Sequence, residues 1–254
     1  MKVRILGSGT SSGVPRIGND WGACDPQNPR NRRTRVSILV ETDTTRILVD
    51  TTPDMREQLL AANVADVDAV IWTHDHADHC HGIDDLRQIY HVREAPVRGL
   101  AREPTLRELE TRFAYAFAGR DGYPPTIAGE LLPDALTIGD LTIEVVDQPH
   151  GNITSAGLRF THRGKSMVYA TDFSDMTVAM KALYHGCDLW VADALRRRPH
   201  PTHATLDDVL GWATELTVGR TVLTHMDQSM DYATLAAELP ATVEPGYDGM
   251  EIVL

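Results

Sequence analysis

The chain has 254 residues, of which 42% are hydrophobic and 24% are charged, a composition that excludes a disordered or fibrous protein. Its 24 basic and 36 acidic residues give a formal net charge of −12, so we expect no large nucleic acid as a partner. The three cysteines are widely spaced and indicate neither a disulfide framework nor a cysteine-rich zinc site.

The organisation of the sequence predicts one domain spanning residues 1–254. No Pro/Gly/Ser-rich linker and no internal repeat divides the chain. The first residues lack an apolar leader and no stretch has the length of a membrane span, which predicts a cytoplasmic protein without membrane contact. The sequence is compatible with a monomer or with a homodimer.

Short apolar runs rich in β-branched residues predict eight strands, at residues 3–6, 36–40, 46–49, 69–72, 141–145, 166–169, 189–192 and 221–223. Helical patterns cover residues 53–62, 104–117, 176–184 and 205–215. Thr52 is the expected N-cap of the first helix, with Pro53 at its first position, and Thr205 with Asp208 fits a capping box. The irregular segment 120–133 is interpreted as an inserted connection, with a substrate lid as the alternative.

A dense group of polar side chains directly follows the predicted strand at residues 69–72. Its four potential ligands are His74, His76, Asp78 and His79. Imidazole nitrogens and carboxylate oxygens suit zinc and related divalent ions, and a loop at the end of a strand lets them point to a common centre. This segment alone therefore predicts a metal site.

The spacing of these residues resembles the H-x-H-x-D-H motif of the metallo-β-lactamase superfamily. Later polar residues at strand ends follow in the order that the superfamily uses. The resemblance implies an α/β fold, a four-layer αββα sandwich, that holds two divalent metal ions, Zn²⁺ or Mn²⁺. It assigns His74, His76 and His150 to the first ion, Asp78, His79 and His225 to the second, and Asp172 to both.

Two further positions fit this resemblance. Asp50, at the end of the predicted strand 46–49, matches an aspartate that the superfamily places beside the site, where it can orient a ligand histidine. A carboxylate at the entry of the next helix is the alternative for Asp50. The histidine at position 76 favours the hydrolytic members, because oxygen-reducing diiron members usually carry an acidic ligand there.

Residues outside the ligand set favour a phosphate-containing substrate. The glycine-rich loop 7–13 offers Ser8, Thr10 and Ser11 to an anion, although a plain tight turn is the alternative. Arg33 lies in the basic segment 31–35, where guanidinium groups can contact phosphate, although a solvated turn is equally compatible. These four residues are predicted to bind substrate.

His200 and His203 precede the fourth predicted helix, and His203 is not among the predicted metal ligands. With this segment, the chain resembles the phosphoribosyl cyclic phosphodiesterases associated with carbon–phosphorus lyase pathways. The resemblance implies that a metal-bridging hydroxide attacks phosphorus while His203 protonates the leaving oxygen. It makes Asp78 and His203 the expected catalytic residues, and His200 a further substrate-binding residue for a small phosphodiester.

The chain departs from some of these phosphodiesterases, which carry an additional structural zinc. That zinc uses several N-terminal cysteines and a histidine shortly after the last ligand, whereas this chain has Cys24, with Asp227 and Gln228 after His225. We therefore expect no third zinc. The natural substrate stays open among a cyclic phosphoribose, a cyclic nucleotide and an oligonucleotide end.

Four alternative functions fit parts of this pattern. A tRNA 3′-processing endonuclease shares the metal motifs but needs a basic arm, which a chain of net charge −12 does not obviously supply. A β-lactamase would carry an export signal, and a glutathione thioesterase does not require the segment around His203. A catalytically silent binding module is disfavoured because the ligand set is complete.

Overall fold

The computed structural model describes residues 1–254 and consists of two seven-stranded mixed sheets. The first sheet has the order β14-β1-β2-β3-β4-β5-β6, and the second has the order β13-β12-β11-β10-β9-β8-β7. The first sheet contains β1 (Lys2–Gly7), β2 (Ser37–Glu41), β3 (Arg46–Val49), β4 (Ala69–Ile71), β5 (Val97–Ala101), β6 (Ile127–Leu131) and β14 (Glu251–Val253). The second contains β7 (Ala135–Ile138), β8 (Leu141–His150), β9 (Ile153–His162), β10 (Lys165–Ala170), β11 (Leu189–Asp193), β12 (Arg220–Thr224) and β13 (Val243–Pro245).

Three hydrophobic cores hold four layers together. A central core of 25 buried residues draws on both sheets, with Ile71 from the first and Phe160 from the second. Outside each sheet, a core of 19 buried residues packs it against helices. The first sheet is covered by α1 (Met55–Ala62), α2 (Ala77–Cys80), α3 (Leu86–Arg93), α4 (Glu103–Arg112) and α5 (Ala114–Ala118), and the second by α6 (Val178–Tyr184), α7 (Leu206–Glu215) and α8 (Tyr232–Glu238). The expected αββα sandwich is thus confirmed.

Each sheet contains a run of four parallel strands. In the first sheet β3, β4, β5 and β6 run parallel, and in the second β10, β11, β12 and β13 do so. Parallel strands covered on both faces are apolar almost throughout, as in β11, where all residues are buried. Their carboxyl ends meet along one edge of each sheet, and polar residues that follow these strands are therefore brought near one another.

All eight predicted strands are present, but several helix boundaries differ from the prediction. The prediction of Thr52 as N-cap is wrong: the helix begins at Met55 with Asp54 as N-cap, and Thr52 Oγ1 accepts a hydrogen bond from Asp54 N in the preceding turn. The helix predicted at 104–117 is interrupted at Phe113, whose φ of −117° and ψ of 36° end α4. The capping box at the start of α7 is confirmed.

Within the irregular segment 120–133, the structure forms one regular element. Residues 127–131 are β6, which pairs with β5 at the edge of the first sheet. The interpretation of this segment as an irregular inserted connection is therefore wrong for residues 127–131, which form a strand of the first sheet. The longest helices, α4 and α7, have 10 residues, and no helix could cross a bilayer, which takes about 20 residues.

Candidate metal centre

The seven residues predicted as metal ligands come together at the edge where the parallel strands end. Two groups form, and within each the potential ligand atoms lie within 4.8 Å of one another. One group contains His74, His76, His150 and Asp172, and the other contains Asp78, His79 and His225. The ligands come from the loop after β4, the first turn of α2, the last residue of β8, and the loops after β10 and β12.

The carboxylate of Asp172 lies between the two groups. Its Oδ2 atom is 3.7 Å from His74 Nε2 and 3.5 Å from His150 Nε2. Its Oδ1 atom is 3.3 Å from His79 Nε2 and 3.4 Å from His225 Nε2. One oxygen therefore faces each group, which is the arrangement that a bridging carboxylate requires.

Hydrogen bonds at the outer nitrogens orient the histidines. Asp50 Oδ2 lies 2.8 Å from His79 Nδ1, and the same carboxylate accepts a hydrogen bond from Thr73 N at 2.8 Å. His150 Nδ1 lies 2.9 Å from Thr202 O, to which it can only donate. With Nδ1 engaged in this way, each ring turns its Nε2 lone pair toward the centre. The structure thus places Asp50 against a ligand histidine.

Three residues of the centre have left-handed backbone conformations. Asp50, Asp172 and His225 have φ values of 65°, 54° and 56°, respectively. Each follows the end of a strand, so the chain turns sharply and aims the side chain along the sheet edge. Such conformations cost about 1–3 kcal/mol per residue and are concentrated at functional sites.

Several buried nitrogens of the centre have no hydrogen-bond partner in the chain. They are the Nε2 atoms of His74, His79 and His225. A buried unpaired polar atom costs about 1–3 kcal/mol, so these three atoms facing carboxylates need a ligand of their own. Divalent ions that accept nitrogen and oxygen donors, such as zinc and manganese, fit this set.

The electrostatics of the centre favour a cation. Burial lowers the pKa of His74 well below its usual value. Burial acts in the same direction on His225, but Asp172 and Asp193 outweigh it and raise the pKa of His225 to about 10. Despite its own burial, Asp172 has a pKa well below the usual range because His225 and His79 stabilise its charge. In the chain alone, protons on the histidines balance the negative charge of these carboxylates. A bound divalent ion would supply that positive charge in place of the protons.

Sequence reasoning missed Asp193, the last residue of β11. This buried carboxylate has Oδ2 2.7 Å from His203 Nδ1 and Oδ1 3.6 Å from His225 Nδ1. His203 in turn has Nε2 3.9 Å from Asp172 Oδ2, and its ring stacks on that of His225 at a centroid distance of 4.8 Å. The available signal was an aspartate directly after the predicted strand 189–192.

Two of the residues predicted to bind substrate form hydrogen bonds to other parts of the chain. The N and Oγ atoms of Ser8 donate to Asp248 Oδ1 at 2.9 and 2.8 Å. The buried guanidinium of Arg33 donates to Asp227 O at 3.2 Å and to Met230 O at 2.6 Å. The Ser8 bonds join the N-terminal loop to the turn before β14, and the Arg33 bonds join the segment before β2 to the segment after β12. Binding of substrate by Ser8 and Arg33 stays a prediction.

The other three residues predicted to bind substrate, Thr10, Ser11 and His200, differ in their exposure. Thr10 is buried and its N atom donates to Met226 O at 3.3 Å, whereas Ser11 is exposed. His200 is half-buried, its ring centroid lies 5.0 Å from that of His203, and burial lowers its pKa. Their binding of substrate stays a prediction.

Two stacked sheets with a His/Asp cluster at their shared edge define the metallo-β-lactamase class of folds. Residues 45–226 match the family described as the beta-lactamase superfamily domain. The chain belongs to this superfamily and, within it, to the PhnP-like branch.

The membership in this branch rests on similarity over nearly the whole chain. The chain superposes on the crystal structure of a diphosphatase from the PhnP family with a TM-score of 0.90 and 35% identity, covering 99% of this chain and 96% of that one. Zn²⁺-bound PqqB from Methylobacterium extorquens superposes with a TM-score of 0.82 and 18% identity over 100% of both chains, which shows the shared fold.

Among curated proteins, an octanoyltransferase from Porphyromonas gingivalis is 34% identical over 100% of this chain and 52% of its own length. The chain thus spans between 52% and 57% of the length of the curated relatives it matches.

Proposed function

We propose that this chain is a dinuclear metal-dependent phosphodiesterase that hydrolyses a small, cyclic phosphodiester. The observation that supports it most is the position of Asp172. Its two carboxylate oxygens face two separate groups of histidines, and His203 Nε2 lies 3.9 Å from Oδ2. A two-ion centre with a proton donor beside it suits a hydrolysis in which an oxygen leaving group is displaced from phosphorus.

Seven residues would hold two ions, Zn²⁺ or Mn²⁺. When bound, the ions supply Lewis acidity and lower the pKa of a water molecule to make a nucleophile near neutral pH. His74, His76 and His150 would hold one ion, Asp78, His79 and His225 the other, and Asp172 both. Asp50 and the carbonyl of Thr202 keep His79 and His150 in the orientation that this requires.

His203 is placed to give a proton to the leaving oxygen. Its Nδ1 atom is bonded to Asp193, so its Nε2 atom is the one that faces the centre. The buried carboxylate of Asp193 accepts a hydrogen bond from Nδ1 and fixes the ring, as the aspartate does in a Ser-His-Asp triad. An alkoxide is a poor leaving group, so its departure depends on this proton.

Phosphorus is the preferred electrophile for two reasons. The PhnP-family relative at 35% identity is described as a diphosphatase, and a diphosphate shares with a phosphodiester a P–O bond to a leaving group. The His203–Asp193 pair serves that leaving oxygen directly. Phosphoribosyl 1,2-cyclic phosphate and a cyclic nucleotide are therefore the first substrates to test.

Octanoyl transfer does not fit this centre. Covalent acyl transfer needs an activated nucleophile such as a thiolate. The cysteine next to the cluster, Cys80, is buried, and burial raises its pKa to about 12, so it stays a thiol at neutral pH. We propose that the activity named for the Porphyromonas gingivalis relative belongs to the part of that protein that this chain does not match.

A tRNA 3′-processing activity is the second candidate within the same fold. Such an enzyme needs a basic arm, but residues 127–131 of the irregular segment 120–133 form β6, which pairs with β5 at the edge of the first sheet. With a net charge of −12, the chain would depend on local basic patches to hold a folded RNA.

The proposal is tested by comparing substrate classes on one preparation loaded with zinc or manganese. Two cyclic phosphodiesters are measured beside a 3′-extended tRNA, a glutathione thioester and a β-lactam, and His203→Ala is compared with the exposed His185→Ala as a matched control. We expect the highest kcat/KM on a cyclic phosphodiester, with His203→Ala alone impaired. Preference for the thioester or the lactam would overturn the proposal.

A further inference from the structure

The left-handed backbone of Asp172 is held by hydrogen bonds to the carbonyls on either side of its Cα atom. Gln148 Nε2 donates to Thr171 O at 2.9 Å, in the peptide group before Cα. Ser155 Oγ donates to Asp172 O at 2.8 Å, in the peptide group after it, and also lies 3.2 Å from Thr171 O. Because the rotations of these two planar peptide groups are the φ and ψ angles of Asp172, the bonds together fix its backbone conformation.

This backbone conformation determines where the carboxylate of Asp172 lies. Thr171 Oγ1 donates to Asp172 Oδ1 at 2.7 Å and holds the side chain relative to the backbone. Oδ2 is then 3.7 Å from His74 Nε2, and Oδ1 is 3.3 Å from His79 Nε2. Metal–ligand distances vary by only about 0.2 Å, so a small rotation of the Asp172 backbone would move an oxygen out of reach of its ion.

Gln148 is fully buried in β8 and uses every polar atom of its amide. Its Nε2 atom donates to Ser155 Oγ at 2.8 Å as well as to Thr171 O, and its Oε1 atom accepts from Tyr184 Oη at 2.8 Å. Since a backbone carbonyl can only accept, the NH₂ group must face Thr171. The amide is therefore held in one orientation, with both donors directed at the segment that carries Asp172.

Gly157 of β9 leaves room for the bond between Tyr184 and Gln148. A Cβ atom at position 157 would lie 1.8 Å from Tyr184 Oη and 2.9 Å from Gln148 Oε1. Both distances are shorter than non-bonded atoms tolerate, so a side chain there would displace the hydroxyl and the amide. A glycine weakens a strand interior, and the close approach of these two groups accounts for its presence here.

We propose that Gln148 and Ser155 are positioning residues of the metal centre, which hold the bridging carboxylate of Asp172 between the two ions. Neither belongs to the groups of potential ligands, and both act through the peptide groups that flank Asp172. The inference rests on the two-ion centre of the proposed function and is independent of the substrate. It predicts that the affinity for metal depends on two side chains that contact no ion.

The test measures the binding of Co²⁺ to the metal-free protein by visible absorption, without any substrate. Gln148→Met keeps the length of the side chain but removes both donors, and Ser155→Ala removes the donor to Asp172 O. Tyr184→Phe is the matched control, because it removes a buried hydrogen bond to the same amide and leaves the donors of Gln148 in place. Circular dichroism and Tm establish that each variant is folded.

We expect Gln148→Met and Ser155→Ala each to raise the Kd of at least one of the two cobalt ions about tenfold, as for other residues that orient metal ligands. Tyr184→Phe should lower Tm and leave both Kd values at the wild-type level. A merely structural network would instead lower Tm in all three variants without changing the affinity for cobalt.

Wild-type cobalt affinities in the folded Gln148→Met and Ser155→Ala variants would overturn the inference, as would an equal loss of affinity in Tyr184→Phe. If Gln148→Met does not fold, Ser155→Ala decides. Phosphodiesterase activity is assayed separately on the zinc-loaded wild type. Binding of two ions without turnover would contradict the proposed function and leave the cobalt test intact, whereas a wild type that binds fewer than two cobalt ions at saturation would overturn the inference.

Discussion

Asp193 holds His203 through a buried hydrogen bond of 2.7 Å between Oδ2 and Nδ1. Burial acts to raise the pKa of Asp193, but His203 and His225 outweigh it and keep the pKa below its usual value. The carboxylate is therefore charged at neutral pH, and its hydrogen bond fixes the orientation of the His203 ring. This relationship makes Asp193 a positioning residue for the proton donor.

Replacing Asp193 with asparagine is expected to affect kcat more than KM. The Asp193→Asn side chain keeps the shape but does not stabilise a charged imidazole, so we expect kcat for an alkyl phosphodiester to fall at least about tenfold. The loss on bis(p-nitrophenyl) phosphate should be smaller, because its leaving group needs no proton. Metal content is measured in parallel, since Asp193 Oδ1 also lies 3.6 Å from His225 Nδ1. Equal losses on both substrates at full metal content would contradict this role.

Removal of the His203 side chain should lower kcat/KM more for substrates with a poor leaving group than for substrates with a good one. For His203→Ala we expect kcat/KM to fall about 100-fold or more on an alkyl phosphodiester, the usual contribution of a general acid. On bis(p-nitrophenyl) phosphate the change should stay within a few-fold. His185→Ala, which alters an exposed histidine on another surface, serves as control. A purely structural role for His203 would lower both rates alike.

Metal removal is expected to lower thermal stability. Without an ion, the Nε2 atoms of His74, His79 and His225 stay buried without a partner. A ligand present at 1,000 times its Kd stabilises a protein by about 4 kcal/mol, so chelation should lower Tm by several degrees and zinc or manganese should restore it. His74→Ala should show a smaller metal-dependent shift. An identical Tm with and without metal would speak against ion binding at this cluster.

The N-cap of α8 gives a stability prediction away from the centre. Asp231 accepts hydrogen bonds from Thr234 N and from Asn31 Nδ2 at 2.9 and 2.7 Å. Its slight burial acts to raise the pKa, but hydrogen bonds from Thr234 and Asp25 lower it to about 2. Because the folded pKa lies below the unfolded value of about 3.9, the stabilisation is present above pH 4 and is lost as pH falls toward 2.

We therefore expect Asp231→Ala to lower the free energy of unfolding at neutral pH by about 1 kcal/mol. The difference from wild type should shrink as pH falls below about 4. Urea unfolding at several pH values measures it, and Asp43→Ala, at an exposed turn, is the matched control. A difference that does not change with pH would show that the carboxylate charge is not involved.

The sequence allowed most of the centre to be predicted because its signals are local. His74, His76, Asp78 and His79 lie within one loop and the first turn of α2, so their spacing alone indicates ligands. Asp172 was assigned through the family resemblance, in which an aspartate follows a strand. The resemblance also implied the four-layer αββα sandwich, whereas the apolar runs, which reflect burial on both faces, indicated only strands.

What could not be predicted depends on tertiary contacts. Arg33 was predicted to contact phosphate, with a solvated turn as the alternative, but its guanidinium is buried against carbonyls of the segment after β12, which only the folded chain brings near. Asp193 has its partner His203 in a later loop, and nothing in the local pattern pairs them. The strand β9 was missed because it contains Gly157 and Arg159 and is stabilised by long pairing with β8.

The central claim is that the His/Asp cluster binds metal and hydrolyses phosphodiesters. The most direct measurement is the hydrolysis of bis(p-nitrophenyl) phosphate by the zinc- or manganese-loaded protein beside His74→Ala and His185→Ala, with metal content determined for each. We predict turnover by the wild type and by His185→Ala, and its loss together with metal in His74→Ala. No turnover by a wild-type protein that holds its full complement of metal would contradict the account.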